Sequence, residues 1–98
     1  MAKYLMLWKI NRSLIPVTPQ ERGKSYAVLT SFVKQDIESG VIKDWGCFVG
    51  EGNGYSVVEG SEVDICKMVQ RYSPFCAFST HPIASVEQMN DVLKAMAG

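Results

Sequence analysis

The stretch Lys3-Tyr-Leu-Met-Leu-Trp-Lys-Ile10 is apolar on both of the faces it would present as a β-strand. Side chains in a strand alternate sides, so Tyr4, Met6, Trp8 and Ile10 point one way. Leu5 and Leu7 point the other way, with Lys3 and Lys9 near the ends. A small antiparallel sheet that keeps one face for water shows apolar-polar alternation instead. The second face of this strand therefore needs a cover, and in a chain of 98 residues the expected cover is a second copy of the same chain.

That length predicts a single domain over residues 1–98, with a thin core to which association would add stability. Ten basic and ten acidic residues balance and are scattered along the chain. No basic stripe suited to nucleic acid or an anionic membrane results, so neither is an expected partner. No apolar run approaches the roughly 20 residues that span a bilayer. Met1-Ala2-Lys3 leads straight into the strand without a small-residue cleavage site, and the expected location is the cytosol. Cys47, Cys66 and Cys76 are odd in number and widely spaced, a poor pattern for disulfides or structural zinc; they read as small core residues. Neither a metal nor a cofactor is expected.

Thr18-Pro19-Gln20-Glu21 announces a helix. Threonine caps the free backbone N–H groups, proline suits the first helical position, and Glu21 completes a capping box. Tyr26, Leu29, Val33 and Ile37, joined by Val28 and Phe32, form its apolar face, and Gly40 ends it as a left-handed cap. Two strands follow, Ile42 to Gly50 and Tyr55 to Glu59, joined by Glu51-Gly52-Asn53-Gly54 as a hairpin turn. Ser61 with Asp64 opens a second helix whose stripe is Ile65, Met68, Val69 and Tyr72, stopped at Ser73-Pro74. A fourth strand runs from Phe75 to His81. Ser85 with Gln88 opens a last helix bearing Met89, Val92, Leu93 and Met96.

This order predicts an α+β, ferredoxin-like βαββαβ fold: a four-stranded antiparallel sheet, two helices on one face and an extra C-terminal helix. The other face is left bare, yet Trp45, Cys47 and Val49 oppose Phe48 on one later strand, and Phe75 and Ala77 oppose Cys76 and Phe78 on another. A bare face with several large apolar groups exceeds what a soluble monomer usually exposes. A two-fold dimer with sheets face to face resolves this. The terminal helix, with its single apolar stripe, is the alternative cover, though short for the whole face.

Met6-Leu-Trp-Lys-Ile10, Gly54-Tyr-Ser-Val-Val-Glu59 and Phe78-Ser-Thr-His-Pro-Ile-Ala-Ser-Val-Glu87 resemble the dimeric α+β barrel superfamily. That group includes muconolactone-isomerase-like and YciI-like proteins and cofactor-free monooxygenases, and the resemblance is greatest to small stand-alone members described as domains of unknown function. It implies the fold and a homodimer, and transfers no catalytic set.

His81 is the one histidine, titrating near neutrality when unperturbed, and is the candidate proton handler. Trp8, Trp45 and Tyr55, on three strands, are candidates to line a pocket for a flat molecule, or else to fill the core or dimer interface. Lys9 and Asp44 are charges in otherwise apolar strands; either is a candidate to orient a bound anion or accept a proton if it faces a cavity, or else reaches water at a strand end, and Lys9 is counted with the ligand-binding candidates. Ser79 shares a face with His81, without the carboxylate or the nucleophile elbow of a hydrolase. The glycines between residues 50 and 54 join two strands and so are not a phosphate loop. Three readings follow: a homodimer binding a small organic ligand or a protein partner, a cofactor-independent isomerase or monooxygenase acting on an aromatic or keto compound, and a metabolite sensor.

Overall fold

In the computed structural model, which describes residues 2–98, four strands form one antiparallel sheet. Met1, read above with Ala2 as the lead into the first strand, lies outside the described residues. The elements are β1 (Lys3–Ile10), a single 3-10 turn (Arg12–Leu14), α1 (Pro19–Glu38), β2 (Ile42–Cys47), β3 (Asn53–Glu59), α2 (Glu62–Tyr72), β4 (Cys76–Ile83) and α3 (Val86–Ala97). The strand order β2-β3-β1-β4 is compatible with a ferredoxin-like arrangement, with β1 central between β3 and β4.

Local chemistry accounts for the helix boundaries. Thr18 Oγ1 accepts from the Glu21 N–H at 3.4 Å and Pro19 takes the first helical position, where its missing N–H costs nothing. Beyond Glu38, Gly40 takes φ +85°, the left-handed cap that a side chain would resist. Around Ser61 and Asp64, and again around Ser85 and Gln88, both reciprocal capping bonds are made.

The hairpin turn lies upstream of its predicted place. The Glu51 N–H donates to the Phe48 carbonyl at 3.1 Å, and Gly50 sits at φ +79° in the third turn position, which there requires a glycine-like residue. Asn53 and Gly54 are thereby released to start β3, and β2 ends at Cys47 rather than Gly50.

Register assigns the faces. Tyr4, Met6, Trp8 and Ile10 pair with Val58, Ser56 and Gly54 of β3 and with Pro82, Thr80, Phe78 and Cys76 of β4. This is the face covered by the helices: Met6 and Val58 are fully buried and pack with Val33 of α1 and Ile65, Met68 and Tyr72 of α2. Along α1 the buried line is Val33 and Asp36, flanked by half-buried Leu29 and Phe32; Val28 and Ile37 are exposed. The stripe thus follows positions 29, 32, 33 and 36 and takes in a carboxylate where an isoleucine was expected. The cysteines also depart from expectation, since Cys47 and Cys66 are exposed and only Cys76 is half-buried.

The opposite face carries Lys3, Leu5, Leu7 and Lys9 of β1, with Glu59, Val57, Tyr55 and Asn53 across on β3 and Ile83, His81, Ser79 and Ala77 on β4. A one-residue irregularity between Ile42 and Asp44 brings Asp44 onto the same side, opposite Val57. Among the described residues no helix covers this face. α3 has no buried residue, and the molecule extends 61 Å in its longest dimension against 26 and 18 Å in the others. The radius of gyration of 16.3 Å exceeds the roughly 13 Å of a compact chain this long, as expected of a body with a projecting helix.

Candidate functional site

Between the covered sheet face and helices α1 and α2 lies a cavity of about 230 Å³. Its floor is sheet: Trp8 and Ile10 of β1, Ile42, Trp45 and Cys47 of β2, Ser56 of β3 and Cys76 and Phe78 of β4. Its roof is Tyr26, Leu29, Thr30 and Val33 of α1 with Met68 and Tyr72 of α2, and Glu51 and Gly52 of the hairpin complete the lining. Glu51 carries the only formal charge among these residues. Apart from the hydroxyls of Thr30 and Ser56 the lining is mostly apolar and aromatic, the character of a small-molecule pocket.

The two tryptophans form one continuous wall. Their rings stack with centroids 5.4 Å apart and planes within 9° of parallel, an arrangement favoured when the rings are offset. The Trp8 indole N–H donates to the Tyr55 carbonyl at 3.2 Å, which fixes the ring. Gly54, paired with Trp8 across the strands, is what permits this: a Cβ there would collide with the Trp8 indole and the Gly46 carbonyl. The glycine read from sequence as a turn residue is therefore a packing residue, held beneath a flat ring.

At the far end of the helices Asp36 is buried, 2 % exposed. It accepts from the Tyr72 hydroxyl at 2.7 Å and from the Arg71 guanidinium. Burial pushes the Tyr72 hydroxyl far above the ordinary tyrosine range, with the Asp36 hydrogen bond and charge adding to the effect, so it remains a proton donor. The ring of Tyr72 meets Phe32 and Phe78 edge-on, at 6.1 and 5.8 Å between centroids. This unit ties α1 to α2 and holds an aromatic cavity wall in place. Periodicity did not reveal it, because a carboxylate on an amphipathic helix ordinarily faces water. Arg71 and Tyr72 lie 35 and 36 residues from Asp36, and only the fold joins them.

The sequence candidates separate onto the two faces. Trp8 and Trp45 line the cavity together. Tyr55 stands on the opposite face, its hydroxyl donating to Asp44 Oδ2 at 2.9 Å, and that hydrogen bond chiefly raises its pKa. Phe48 stacks beside it, 6.3 Å between centroids. Lys9 is on Tyr55's side, between Asn53 and Ala77. His81 is exposed on the same face beside Leu5, with Ser79 Oγ 3.2 Å from its Nε2. The serine-histidine contact exists, then, but away from the two indoles. Cys76, by contrast, is a cavity residue whose thiol pKa is raised by burial. Among the described residues no group of histidine, cysteine and carboxylate side chains has the arrangement of a metal site, and no helix is long and apolar enough to cross a membrane.

Residues 2–97 match the family model for a domain of unknown function, DUF3303. The chain belongs to the DUF3303 family. No curated protein matches it. For this DUF3303 chain, the stacked indoles and the largely apolar cleft above them are the most specific chemical feature of the fold.

Proposed function

We propose that the protein binds a small, flat, uncharged organic molecule in the cavity behind Trp8 and Trp45. The observation that carries this reading is a partly open, aromatic-walled space of about 230 Å³ with no cationic side chain in its lining. An apolar cavity of about 150 Å³ takes one benzene ring, so this one suits one ring with substituents or two fused rings. The stacked indoles offer such a ring a flat surface, while the Ser56 hydroxyl is placed to orient a carbonyl or phenol group and Thr30 Oγ1, which donates to the Tyr26 carbonyl, is left as an acceptor. Absence of a cation disfavours an anionic ligand, whose desolvation nothing in the lining would offset.

In this reading residues 1–98 act as one ferredoxin-like unit of the dimeric α+β barrel type, in the cytosol, with two copies packed through their open sheet faces. Leu5, Leu7, Val57, Phe48 and Ile83 support the association, since water otherwise meets them. An isomerase or monooxygenase asks for more. Its proton handler, His81, and Lys9 are on the face away from the cavity, so such a site would have to form between the two sheets of a dimer. A metabolite sensor would couple ligand binding in the cavity to that same interface.

Thermal-shift measurements with uncharged one- and two-ring aromatics test the proposal, because a ligand that binds only the folded state raises its apparent stability. The expected result is a rise in Tm with quenching of tryptophan fluorescence, both lost in Trp45→Ala. No shift with any planar compound, or an equal shift in Trp45→Ala, would overturn it.

A further inference from the structure

Gly54, Ser56 and Val58 are the covered-face residues of β3, and all are buried. Gly54 makes room for the Trp8 ring and Val58 fills the core. Ser56 does neither. It pairs with Met6 on β1 and with Trp45 on β2, and is 2 % exposed. A valine there would bury apolar surface, whereas a hydroxyl taken out of water without a partner costs free energy.

The Ser56 hydroxyl bonds to no described residue, yet no fully enclosed side-chain nitrogen or oxygen among them lacks a partner. Both hold when the little surface that Ser56 keeps is at Oγ. What it meets there is the cavity whose floor it helps to form. Its polar neighbours are already committed. The Trp8 indole N–H goes to the Tyr55 carbonyl, the Tyr72 hydroxyl to Asp36 and the Thr30 hydroxyl to the Tyr26 carbonyl. Thr30 Oγ1 and the Glu51 carboxylate are left as acceptors. Ser56 O–H is thus the buried donor that the cavity still has to give. A carbonyl oxygen matches it, having two lone pairs and no proton of its own to place.

We infer that the cavity selects a planar aromatic ketone, lactone or lactam whose carbonyl oxygen accepts the Ser56 O–H, which makes Ser56 the specificity-determining residue of the site. This rests on the ligand-binding reading above and narrows it from any flat uncharged ring to one that bears a carbonyl. A site built around an unspent donor discriminates well, because a ligand without the acceptor leaves that donor buried and unpaired. The same donor accounts for a serine among core residues: some stability is given up for recognition.

Fluorescence titration of the full chain with indanone, indane and a phenolic indanol tests this. The three two-ring probes carry a carbonyl, no polar group and a hydroxyl, respectively. The unsubstituted chain should bind indanone on the order of tenfold more tightly than indane. In Ser56→Ala that preference should vanish while the affinity for indane holds. Without ligand, Ser56→Ala should melt at or above the Tm of the unsubstituted chain. A fall of several degrees would show that the hydroxyl already has a structural partner, and would overturn the inference. Equal affinity for indanone and indane, or a preference that survives in Ser56→Ala, would overturn it too while leaving the cavity as a binding site. So would a Ser56-dependent preference for indanol over indanone. No binding of any of the three would remove the cavity reading itself, and this inference with it.

Discussion

The two faces of this sheet are built from the same four strands and solve opposite problems. On the covered face Met6, Trp8, Ser56 and Val58 are buried under two helices, and a cavity left there is walled by indoles. On the open face Leu7, Tyr55, Val57 and Phe48 sit among Lys3, Lys9, Asp44 and Glu59, with Lys43 reaching Glu59 at 3.4 Å from the neighbouring strand. Glycine marks both: Gly54 makes room for Trp8, and Gly46 makes room for the Tyr55 ring. The covered face holds few charges: Asp36 is buried against Arg71 and Tyr72, and Glu51 stands at the hairpin edge of the cavity. The open face sets its charges around an apolar centre, as the rim and core of an interface are arranged.

The sharpest contrast comes from truncating one residue on each side of β1. Met6→Ala should cost about 2–5 kcal/mol in denaturant unfolding, since Met6 is fully buried and its neighbours cannot all collapse into the gap. Leu7→Ala should cost under about 1.5 kcal/mol in the isolated chain, its side chain being 40 % exposed, while raising the dimer dissociation constant. Equal costs for the two would erase the distinction between the faces.

A smaller effect probes how the covered face is held shut. Asp36→Ala leaves the Tyr72 hydroxyl without its acceptor and should cost about 1–3 kcal/mol, whereas Tyr72→Phe, which keeps the ring on the cavity wall, should cost about 1 kcal/mol. Ligand affinity should fall in the first and hold in the second. A loss of affinity in both would mean that the hydroxyl itself meets the ligand.

The smallest expected effect is one of pH. Asp64 is held below the ordinary aspartate range by accepting the Ser61 N–H, with the Ser61 side chain adding to this. A depressed folded-state pKa stabilises above the unfolded value, near 3.9, and that contribution is lost as pH falls through the folded value. Unfolding midpoints should therefore drop between pH 4 and pH 2 by more in the unsubstituted chain than in Asp64→Asn. Parallel pH profiles would show that the capping box does not anchor α2.

Helix starts were legible because capping is local: Thr18, Ser61 and Ser85 each act within three residues. The apolar second face of β1 was legible too, since strand alternation needs no tertiary knowledge. The hairpin was misplaced because Gly52, Asn53 and Gly54 have turn chemistry, and only the Trp8 ring lying over Gly54 reveals a strand residue. Grouping Trp8, Trp45 and Tyr55 in one pocket needed register. Trp45 pairs with Ser56 and not with Tyr55, so Trp45 and Tyr55 fall on opposite faces. Asp36 stayed hidden for a related reason, because its partners lie on another helix.

The most direct measurement is an amide chemical-shift map of the protein titrated with an uncharged two-ring aromatic compound. The account predicts perturbations centred on Trp8, Leu29, Val33, Trp45 and Cys76, with Leu5, Leu7, Lys9, Tyr55 and His81 unmoved. Perturbations centred on Tyr55, Lys9 and His81 instead would place the binding site between the sheets and contradict the assignment of the cavity.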